Sequence, residues 1–235
     1  MMNAYEKLVR QSRLFKDVSA EGFEQIFTAG VTRSVGEDGF YFLQGDPATH
    51  AYVLLEGRVK MMQITPNGQQ ITMRIMTPGQ TFGGVALLKP SAGYPATAQA
   101  DEDSKAMAWE TERLRDLVED EPVISLNVMN LMHGYISELQ ERQKSLVTDR
   151  VEQRIARVLL KLAAQSGIKI DEGVLIDLPI TRQDIAEMSG TTLFTVSRTL
   201  NEWDRDGLLK IGRERVVIRE PHLLVSISDD LVNRD

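Results

Sequence analysis

The chain of 235 residues contains no cysteine. That absence excludes disulfide bonds, thiolate zinc sites and cysteine-ligated iron–sulfur clusters. The sequence also has no apolar run near the roughly 20 residues of a membrane-spanning helix, and Glu6, Lys7 and Arg10 interrupt the N-terminus where a signal peptide has its apolar core. We therefore expect a cytoplasmic protein that makes no contact with a membrane.

Positive charge is also scarce. The chain has 27 Lys and Arg against 34 Asp and Glu, a net charge of -7, and residues 149–235 have 13 against 15. Because nucleic-acid-binding domains are usually basic, this balance predicts only modest nonspecific affinity for DNA. The basic residues near the C-terminus nevertheless concentrate in one segment, where they could face phosphates: Arg182, Arg198, Arg205, Lys210, Arg213 and Arg215.

What the sequence does contain, between residues 31 and 109, is a series of short β-prone runs. Closely spaced turns separate these runs and predict an antiparallel roll or barrel. Pro66-Asn67-Gly68 is the clearest hairpin turn, because Asn and Gly tolerate left-handed backbone. Two short amphipathic helices are expected before the roll, at residues 5–10 and 20–28, with Ser19 capping the second.

Helical periodicity returns at Pro122 and continues to residue 147. Two apolar seams run along this helix, and one is expected to cover the roll while the other contacts a second copy of the chain as a coiled coil. The alternative is that both seams are buried within one subunit. The predicted dimer interface comprises Ile124, Val128, Leu131, Met132, Tyr135, Ile136 and Leu139, with Met129 and Leu146 on the second seam.

Two further helical patterns follow in residues 181–207 and meet at Gly190. The second carries Leu193, Val196, Leu200 and Trp203 on one face, which we expect to be buried. Its opposite face holds Phe194, Arg198, Asn201 and Arg205, with Ser197 at the edge. Small Ala186 in the first helix and a glycine in the turn are typical of a helix-turn-helix, although an ordinary helical hairpin is the alternative.

The segments before and after these two helices are predicted to form a β-hairpin, a further helix and a short connector. Runs at 208–211 and 215–219 flank Gly212-Arg213-Glu214 and indicate a β-hairpin, so that the motif takes its winged form. Upstream, Asp149 and Glu152 predict a capping box that starts a helix over residues 150–166. Residues 168–179 are expected to form a short β-prone connector.

This order of roll, long helix, hinge and winged helix-turn-helix resembles the cyclic-AMP receptor protein and FNR (Crp/Fnr) superfamily of bacterial transcription regulators, over about residues 15–221. It looks nearer to the FNR and nitric-oxide-responsive branch than to the cyclic-AMP-binding branch. The motifs that carry the resemblance are Gln44-Gly45-Asp46, Gly57, the turn at residues 66–69, Gly79, Phe82-Gly83, and ITRQDIAEMSG followed by TVSR.

The resemblance implies an α+β fold in three parts: a β-roll sensing domain like a cyclic-nucleotide-binding jelly roll (1–121), a dimerisation helix and hinge (122–148), and a winged helix-turn-helix (149–235). It implies a homodimer, not an enzyme, that binds double-stranded DNA at a two-fold symmetric site with half-sites about one helical turn apart. RNA polymerase is the expected partner of an activator, through residues 66–70 and 168–176, although these residues do not decide between activation and repression. The competing function is a sensor module of a non-DNA-binding signalling protein that shares the roll.

The family's effector pocket lies between the roll and the long helix. In cyclic-nucleotide-binding members a glutamate follows Phe-Gly and an Arg-Ser pair holds the phosphate, whereas here Gly84, Tyr94 and Pro95 stand at those positions. A buried phosphate without its arginine would cost several kcal/mol, so the effector is predicted not to be cyclic AMP and its identity is left open. The corresponding pocket residues are Phe82, Gly83, Gly84, Tyr94, Pro95, Leu139 and Gln140.

Residues 93–100 look like the nitric-oxide-responsive regulators, which use haem. An axial ligand would have to come from His50, His133 or His222, and for each histidine an ordinary surface or interface role is favoured. No metal site is predicted, and the cofactor is left unknown.

The resemblance also assigns the reading residues. FNR-type readers present Glu-x-x-Ser-Arg, and here Phe194 replaces the glutamate ahead of Ser197 and Arg198. We expect Arg198 to bind guanine O6 and N7, Ser197 to contact a neighbouring base, and Phe194 to pack on a thymine methyl. The other predicted DNA contacts, mostly to phosphates, are Thr192, Thr195, Asn201, Arg182, Arg213 and Arg215.

Overall fold

The computed structural model describes residues 3–65, 67, 70–88, 92–212 and 215–229. It divides into two compact units, Met1–Glu138 and Leu139–Asp235. Within the described residues, no helix combines the length and the apolar character that crossing a membrane requires.

Two helices open the first unit, as predicted: α1 (Ala4–Gln11) and α2 (Ala20–Ala29). Asn3 caps α1 by accepting from the Glu6 N–H at 2.7 Å. Ser19 caps α2 in the same way, because its Oγ accepts from the Gly22 N–H at 2.9 Å. Side-chain oxygens thus satisfy N–H groups that the first turn of each helix leaves without a partner.

Eight strands then form two four-stranded antiparallel sheets, ordered β1-β8-β3-β6 and β2-β7-β4-β5, which confirms the predicted roll. Ile64 lies opposite Gln70 where β4 turns into β5, so the hairpin expected at Asn67 is present, although Pro66 and Gly68 lie outside the described residues. The strands are β1 (Val31–Val35), β2 (Phe40–Phe42), β3 (His50–Glu56), β4 (Val59–Ile64), β5 (Gln70–Met76), β6 (Thr81–Phe82), β7 (Thr97–Ala100) and β8 (Ser104–Glu110).

A hydrophobic core joins one face of the roll to the helices of this unit. Trp109 is its largest member; the indole N–H donates to the Ile26 carbonyl at 2.8 Å, and the ring meets Phe15 edge-on at 5.0 Å. Two helices after β6 and β8 were not predicted: α3 (Val85–Leu88) and α4 (Thr111–Asp120). Leu114 of α4 is fully buried in this core.

The long helix α5 (Val123–Thr148) agrees with the prediction, but its seams require a correction. Ile124 is fully buried in the Trp109 core, and Val128 and Leu131 pack against that core. Assigning Ile124 to the dimer interface was therefore wrong, because it has no surface left for a partner. Val128 and Leu131 likewise belong to the seam that covers the roll of their own subunit.

The second unit surrounds a four-stranded sheet ordered β11-β12-β10-β9. The connector before the helix-turn-helix forms two of these strands, and β10 pairs with β12 of the wing. Its elements after α5 are α6 (Val151–Ser166), β9 (Gly167–Ile170), β10 (Gly173–Ile176), α7 (Arg182–Ser189), α8 (Leu193–Arg205), β11 (Leu209–Gly212), β12 (Arg215–Ile218) and α9 (Pro221–Ser228).

Helix α6 begins one residue later than its predicted cap implied. Arg150 is the N-cap residue, and its N–H donates to Gln153 Oε1 at 2.6 Å. Asp149 instead accepts hydrogen bonds from the side chains of Ser145 and Arg157. The expected capping box between Asp149 and Glu152 was therefore wrong.

Candidate nucleic-acid interface

Local hydrogen bonds define each end of the helix-turn-helix. Thr181 caps α7, its Oγ1 accepting from the Asp184 N–H at 3.0 Å. Gly190 ends that helix in the left-handed region, at φ 64° and ψ 42°, which glycine adopts without strain. Thr192 then caps α8 by accepting from the Thr195 N–H at 3.2 Å. The glycine turn was predicted from the sequence, whereas the capping roles of Thr181 and Thr192 were not.

Two arginines outside the motif bind the C-terminal end of α7. Arg154 of α6 donates to the Ser189 carbonyl at 2.9 Å and to the Gly190 carbonyl at 3.4 Å. Arg142 of α5 donates to the Glu187 carbonyl at 3.1 Å. The last carbonyls of a helix lack intrahelical partners and carry partial negative charge, so these cations stabilise the turn. No sequence motif had indicated either contact.

The buried face of α8 is shorter than predicted. Val196, Leu200 and Trp203 are buried, as expected, whereas Leu193 is 47% exposed. Leu193 is the first residue of the helix, and its side chain lies beyond the core that Val196 and Leu200 reach. The prediction that Leu193 is buried was therefore wrong.

The opposite face of α8 is open to solvent. Phe194 is 76% exposed, Arg198 and Asn201 are exposed, and Ser197 is half-buried at the edge. Asn201 Oδ1 accepts a hydrogen bond from Arg182 Nη2 at 2.9 Å. The structure therefore brings a guanidinium from the start of α7 to the exposed face of α8.

The wing adds a further cation beside this face. Arg215 is exposed at the start of β12, while Arg213 lies outside the described residues. An open cavity of about 480 Å³ is lined by Arg215, Arg182 and Leu193. Lys210, in contrast, pairs with Glu172 at 2.7 Å, and its hydrogen bond lowers the pKa of that carboxyl. Lys210 is thus already engaged with an acidic side chain.

Comparison with known proteins decides the family. Residues 153–227 match the model of the Crp-like helix-turn-helix domain, and residues 32–121 match that of the cyclic nucleotide-binding domain. The Cyclic AMP receptor protein of Thermus thermophilus is 30% identical over 187 residues, which cover 80% of this chain and 83% of that protein. The chain belongs to the Crp/Fnr family. It is a DNA-binding transcription regulator.

Other Crp/Fnr proteins share this organisation. The Global nitrogen regulator of Nostoc sp. is 26% identical over 183 residues, 77% of this chain and 81% of that one. The structure of FixK2 from Bradyrhizobium japonicum has a TM-score of 0.74 at 21% identity, covering 84% of this chain and 96% of that chain. The fold of this Crp/Fnr regulator therefore extends over both units.

In this Crp/Fnr regulator, aromatic side chains fill the part of the roll that was assigned to the effector. Tyr94 is 3% exposed, and its ring stacks on Phe42 at 3.7 Å between centroids. The Tyr94 hydroxyl donates to the His50 carbonyl at 2.8 Å and accepts from the His50 N–H at 3.0 Å. Phe82 is buried in the same cluster as Tyr52, whose pKa burial raises to about 12. Phe82 and Tyr94 are thus core residues of the roll.

The other predicted pocket residues are spread out. Gly83 has a positive φ of 73°, and a Cβ there would lie 2.9 Å from the His50 carbonyl oxygen. The Phe-Gly motif therefore has a structural reason of its own, the close approach of β6 to β3. Gly84 is half-buried, Pro95 is exposed, and Leu139 and Gln140 belong to the second unit. A pocket formed by all of them stays a prediction.

An ion pair that sequence reasoning missed ties the roll to α5. Arg74 of β5 pairs with Glu138 and lies over the Tyr135 ring, 5.8 Å from its centroid. The residues are 64 positions apart, so no local spacing could have indicated the contact. Tyr135, predicted to face a second copy, is therefore partly covered by its own subunit.

The second seam of α5 is open along its length. Met129, Met132, Ile136, Leu139 and Leu146 are 39–56% exposed. Their spacing of three, four, three and seven residues follows the a and d positions of a heptad repeat, with Gln143 at the position between the last two. In water such a stripe favours association with another apolar stripe.

The histidines considered as haem ligands have ordinary surroundings. His50 Nδ1 is hydrogen-bonded to Thr49 Oγ1 at 2.9 Å, and burial lowers the pKa of its imidazole. His133 and His222 are exposed on helices. Within the described part of the chain, no group of three or more His, Asp or Glu side chains could hold a metal ion. The expectation that each of these histidines has an ordinary surface or interface role stays a prediction.

Proposed function

We propose that this Crp/Fnr regulator acts as a homodimer that reads a two-fold symmetric DNA site through the exposed face of α8. The observation that carries the proposal is this face itself, where Phe194, Arg198 and Asn201 point away from the core. Residues in these places of a helix-turn-helix reach base edges in the major groove. The protein acts by binding rather than by catalysis.

Within this proposal the residues divide by task. Arg198 binds guanine O6 and N7 with two of its N–H donors, Ser197 contacts an adjacent base, and Phe194 packs on a thymine methyl. Thr192, Thr195, Arg182 and Arg215 contact phosphates, which fixes the register without reading sequence. The hydrogen bond from Arg182 to Asn201 supports this division, because it holds the Arg182 guanidinium at the edge of the reading face.

Selection of bound sequences from random DNA tests the reading surface. The enriched sites are expected to be inverted repeats with a guanine in each half-site. Arg198→Ala should lose about 1–3 kcal/mol at that guanine and little at other positions. Arg113→Ala, an equal loss of charge at an exposed position in the first unit, should leave the preference unchanged. Equal losses across all base variants would contradict the role of Arg198.

The homodimer is proposed to form through the second seam of α5. Ile136→Glu places a charge in the centre of this stripe and should convert the dimer to monomer in analytical ultracentrifugation. Val31→Glu makes the same change at a residue of β1 that is 69% exposed and lies outside the stripe; it should leave the dimer intact. A dimer that survives Ile136→Glu would contradict this interface.

The effector is proposed not to be cyclic AMP, because Tyr94 fills the core where a phosphate-binding arginine would be needed. Titration calorimetry should give no isotherm at micromolar concentrations of the nucleotide, and a clear isotherm would overturn this part of the proposal. Because its ligand is chromosomal DNA, the protein is proposed to work in the cytoplasm. RNA polymerase is proposed as its partner, through residues 66–70 and 168–176.

A further inference from the structure

The start of α8 presents two neighbouring apolar side chains to solvent. Leu193 and Phe194 are 47% and 76% exposed, although both are large hydrophobic residues. The hydrogen bond from the Thr195 N–H to Thr192 Oγ1 fixes the backbone of the first turn, and with it the Cα–Cβ directions of both residues. A single exposed hydrophobic residue is common on protein surfaces. Two consecutive large hydrophobic residues at the start of a recognition helix require another explanation.

The surroundings of this pair are polar and cationic. Phe194 shares a face with Ser197 and Arg198, three and four residues further along the helix. Leu193 lines the open cavity together with Arg182 and Arg215. The two apolar side chains thus lie between groups suited to bases on one side and groups suited to phosphates on the other. DNA bound by these polar groups would cover both apolar side chains.

The chemistry of the major groove limits what can cover them. Its base edges carry donors and acceptors, and the one apolar group among them is the C5 methyl of thymine. A donor or acceptor held against Leu193 or Phe194 would lose its water without gaining a partner, which is unfavourable. 5-Methylcytosine presents the same methyl group at the same ring position.

We propose that Leu193 and Phe194 together read C5-methylpyrimidines, each contacting one methyl group on neighbouring base pairs of a half-site. Side chains of consecutive helical residues point about 100° apart, so Leu193 and Phe194 would contact different methyl groups rather than share one. This inference rests on the proposed function and adds to it a second specificity-determining residue and a class of base. It also makes binding sensitive to cytosine methylation at those two steps.

Replacement of single pyrimidines in the selected DNA site tests the inference. At each pyrimidine position, duplexes with thymine, uracil, cytosine or 5-methylcytosine are compared by fluorescence anisotropy; uracil removes only the methyl group of thymine. Burial of one methyl group predicts about fourfold weaker binding for uracil than for thymine at each of two neighbouring positions. At those positions cytosine should likewise bind about fourfold more weakly than 5-methylcytosine. The first comparison tests thymine as the source of the methyl group, and the second tests 5-methylcytosine.

Variants assign each position to one side chain. Leu193→Ala should abolish the methyl effect at one position and Phe194→Ala at the other, while Leu193→Met should preserve both. Leu193→Gln, which keeps the length of the side chain but ends in an amide, gives a second measurement in case the alanine variant does not fold. Leu223→Ala removes an exposed leucine from α9, 44% exposed, and should change neither effect.

The binding measurements distinguish failure of the methyl-reading inference from failure of the proposed function. If uracil binds as well as thymine at every position, or if both methyl effects survive in the Leu193 and Phe194 variants, the inference is wrong. If only the Phe194 variants alter a methyl effect, Leu193 is not a reader. Loss of the guanine preference in Arg198→Ala would still uphold the proposed function in each of these cases, whereas absence of any sequence preference in the unaltered protein would refute that function itself.

Discussion

Substitution of Gly190 by alanine tests how the turn of the reading motif is built. Gly190 has the left-handed backbone, which costs another residue about 1–2 kcal/mol. An added Cβ would also lie 2.6 Å from Leu146 Cδ2. Because Leu146 is half-exposed and flexible, its side chain can rotate away at about 0.5–1.5 kcal/mol. We therefore expect Gly190→Ala to lower the free energy of unfolding of the second unit by about 1.5–3.5 kcal/mol.

The two contributions can be separated with Leu146→Ala. In that background the steric part is absent, so Gly190→Ala should cost only the backbone part, about 1–2 kcal/mol. Gly190→Asn should cost less backbone strain than alanine, because asparagine tolerates this conformation. The difference between the two backgrounds measures the contact between Gly190 and Leu146.

Urea unfolding followed by tryptophan fluorescence is the assay. The chain has two tryptophans, and Trp203 is buried in the second unit while Trp109 is buried in the first. All variants are made in a Trp109→Phe background, so that Trp203 alone reports, and protein concentration is held constant because a dimer unfolds in a concentration-dependent way. A cost below about 0.5 kcal/mol for Gly190→Ala would refute the strain argument. An equal cost in both backgrounds would refute the contact with Leu146.

Three further perturbations follow from the geometry. Tyr94→Phe leaves the His50 N–H without its partner and should destabilise the first unit by about 1–3 kcal/mol in urea, read from Trp109 in a Trp203→Phe background. The pKa of His50 in the folded protein is below its unfolded value of 6.5, mainly because the imidazole is buried. The negative charge of Glu110 opposes this shift, and the positive charge of Arg33 adds to it. The stability this histidine contributes is therefore present above about pH 6.5 and is lost as the pH falls through the folded pKa; His50→Gln should flatten that decline in urea unfolding at pH 7 to 5. Arg154→Leu removes hydrogen bonds to the carbonyls of Ser189 and Gly190, so the second unit should lose about 2–3 kcal/mol by the Trp203 assay. Arg154→Lys should recover only part of that loss, because an ammonium group lacks the planar fork of a guanidinium.

Features with local causes could be predicted from the sequence. Ser19 was expected to cap α2 and does so, because the hydrogen bond of an N-cap joins residues only three positions apart. Thr181 and Thr192 cap their helices in the same local way, although the sequence analysis did not assign them as caps. Gly190 was recognisable because few other residues tolerate its backbone. The exposed face of α8 followed from helical spacing alone, which is why Phe194 and Arg198 were placed correctly on the outside.

Features that depend on distant partners could not be predicted in this way. The ion pair of Arg74 with Glu138 joins a strand to a helix with no common periodicity. Leu193 fits the apolar spacing of its helix, yet it is exposed, because burial at a helix end depends on how far the neighbouring core extends. Ile124 was assigned to the wrong interface since two apolar seams on one helix look alike until the roll is seen to cover one of them.

The sheet of the second unit limits how the wing can move relative to the helix-turn-helix. Strands β9 and β10 precede the helix-turn-helix in the chain and β11 and β12 follow it, with Leu175 opposite Val217 at the join. The wing is therefore anchored to chain that lies upstream of the motif and cannot swing as a separate hairpin. If Arg215 makes the phosphate contact proposed for it, a substitution within residues 167–176 should alter the angle of that contact and so change affinity, while every residue of the recognition helix stays the same.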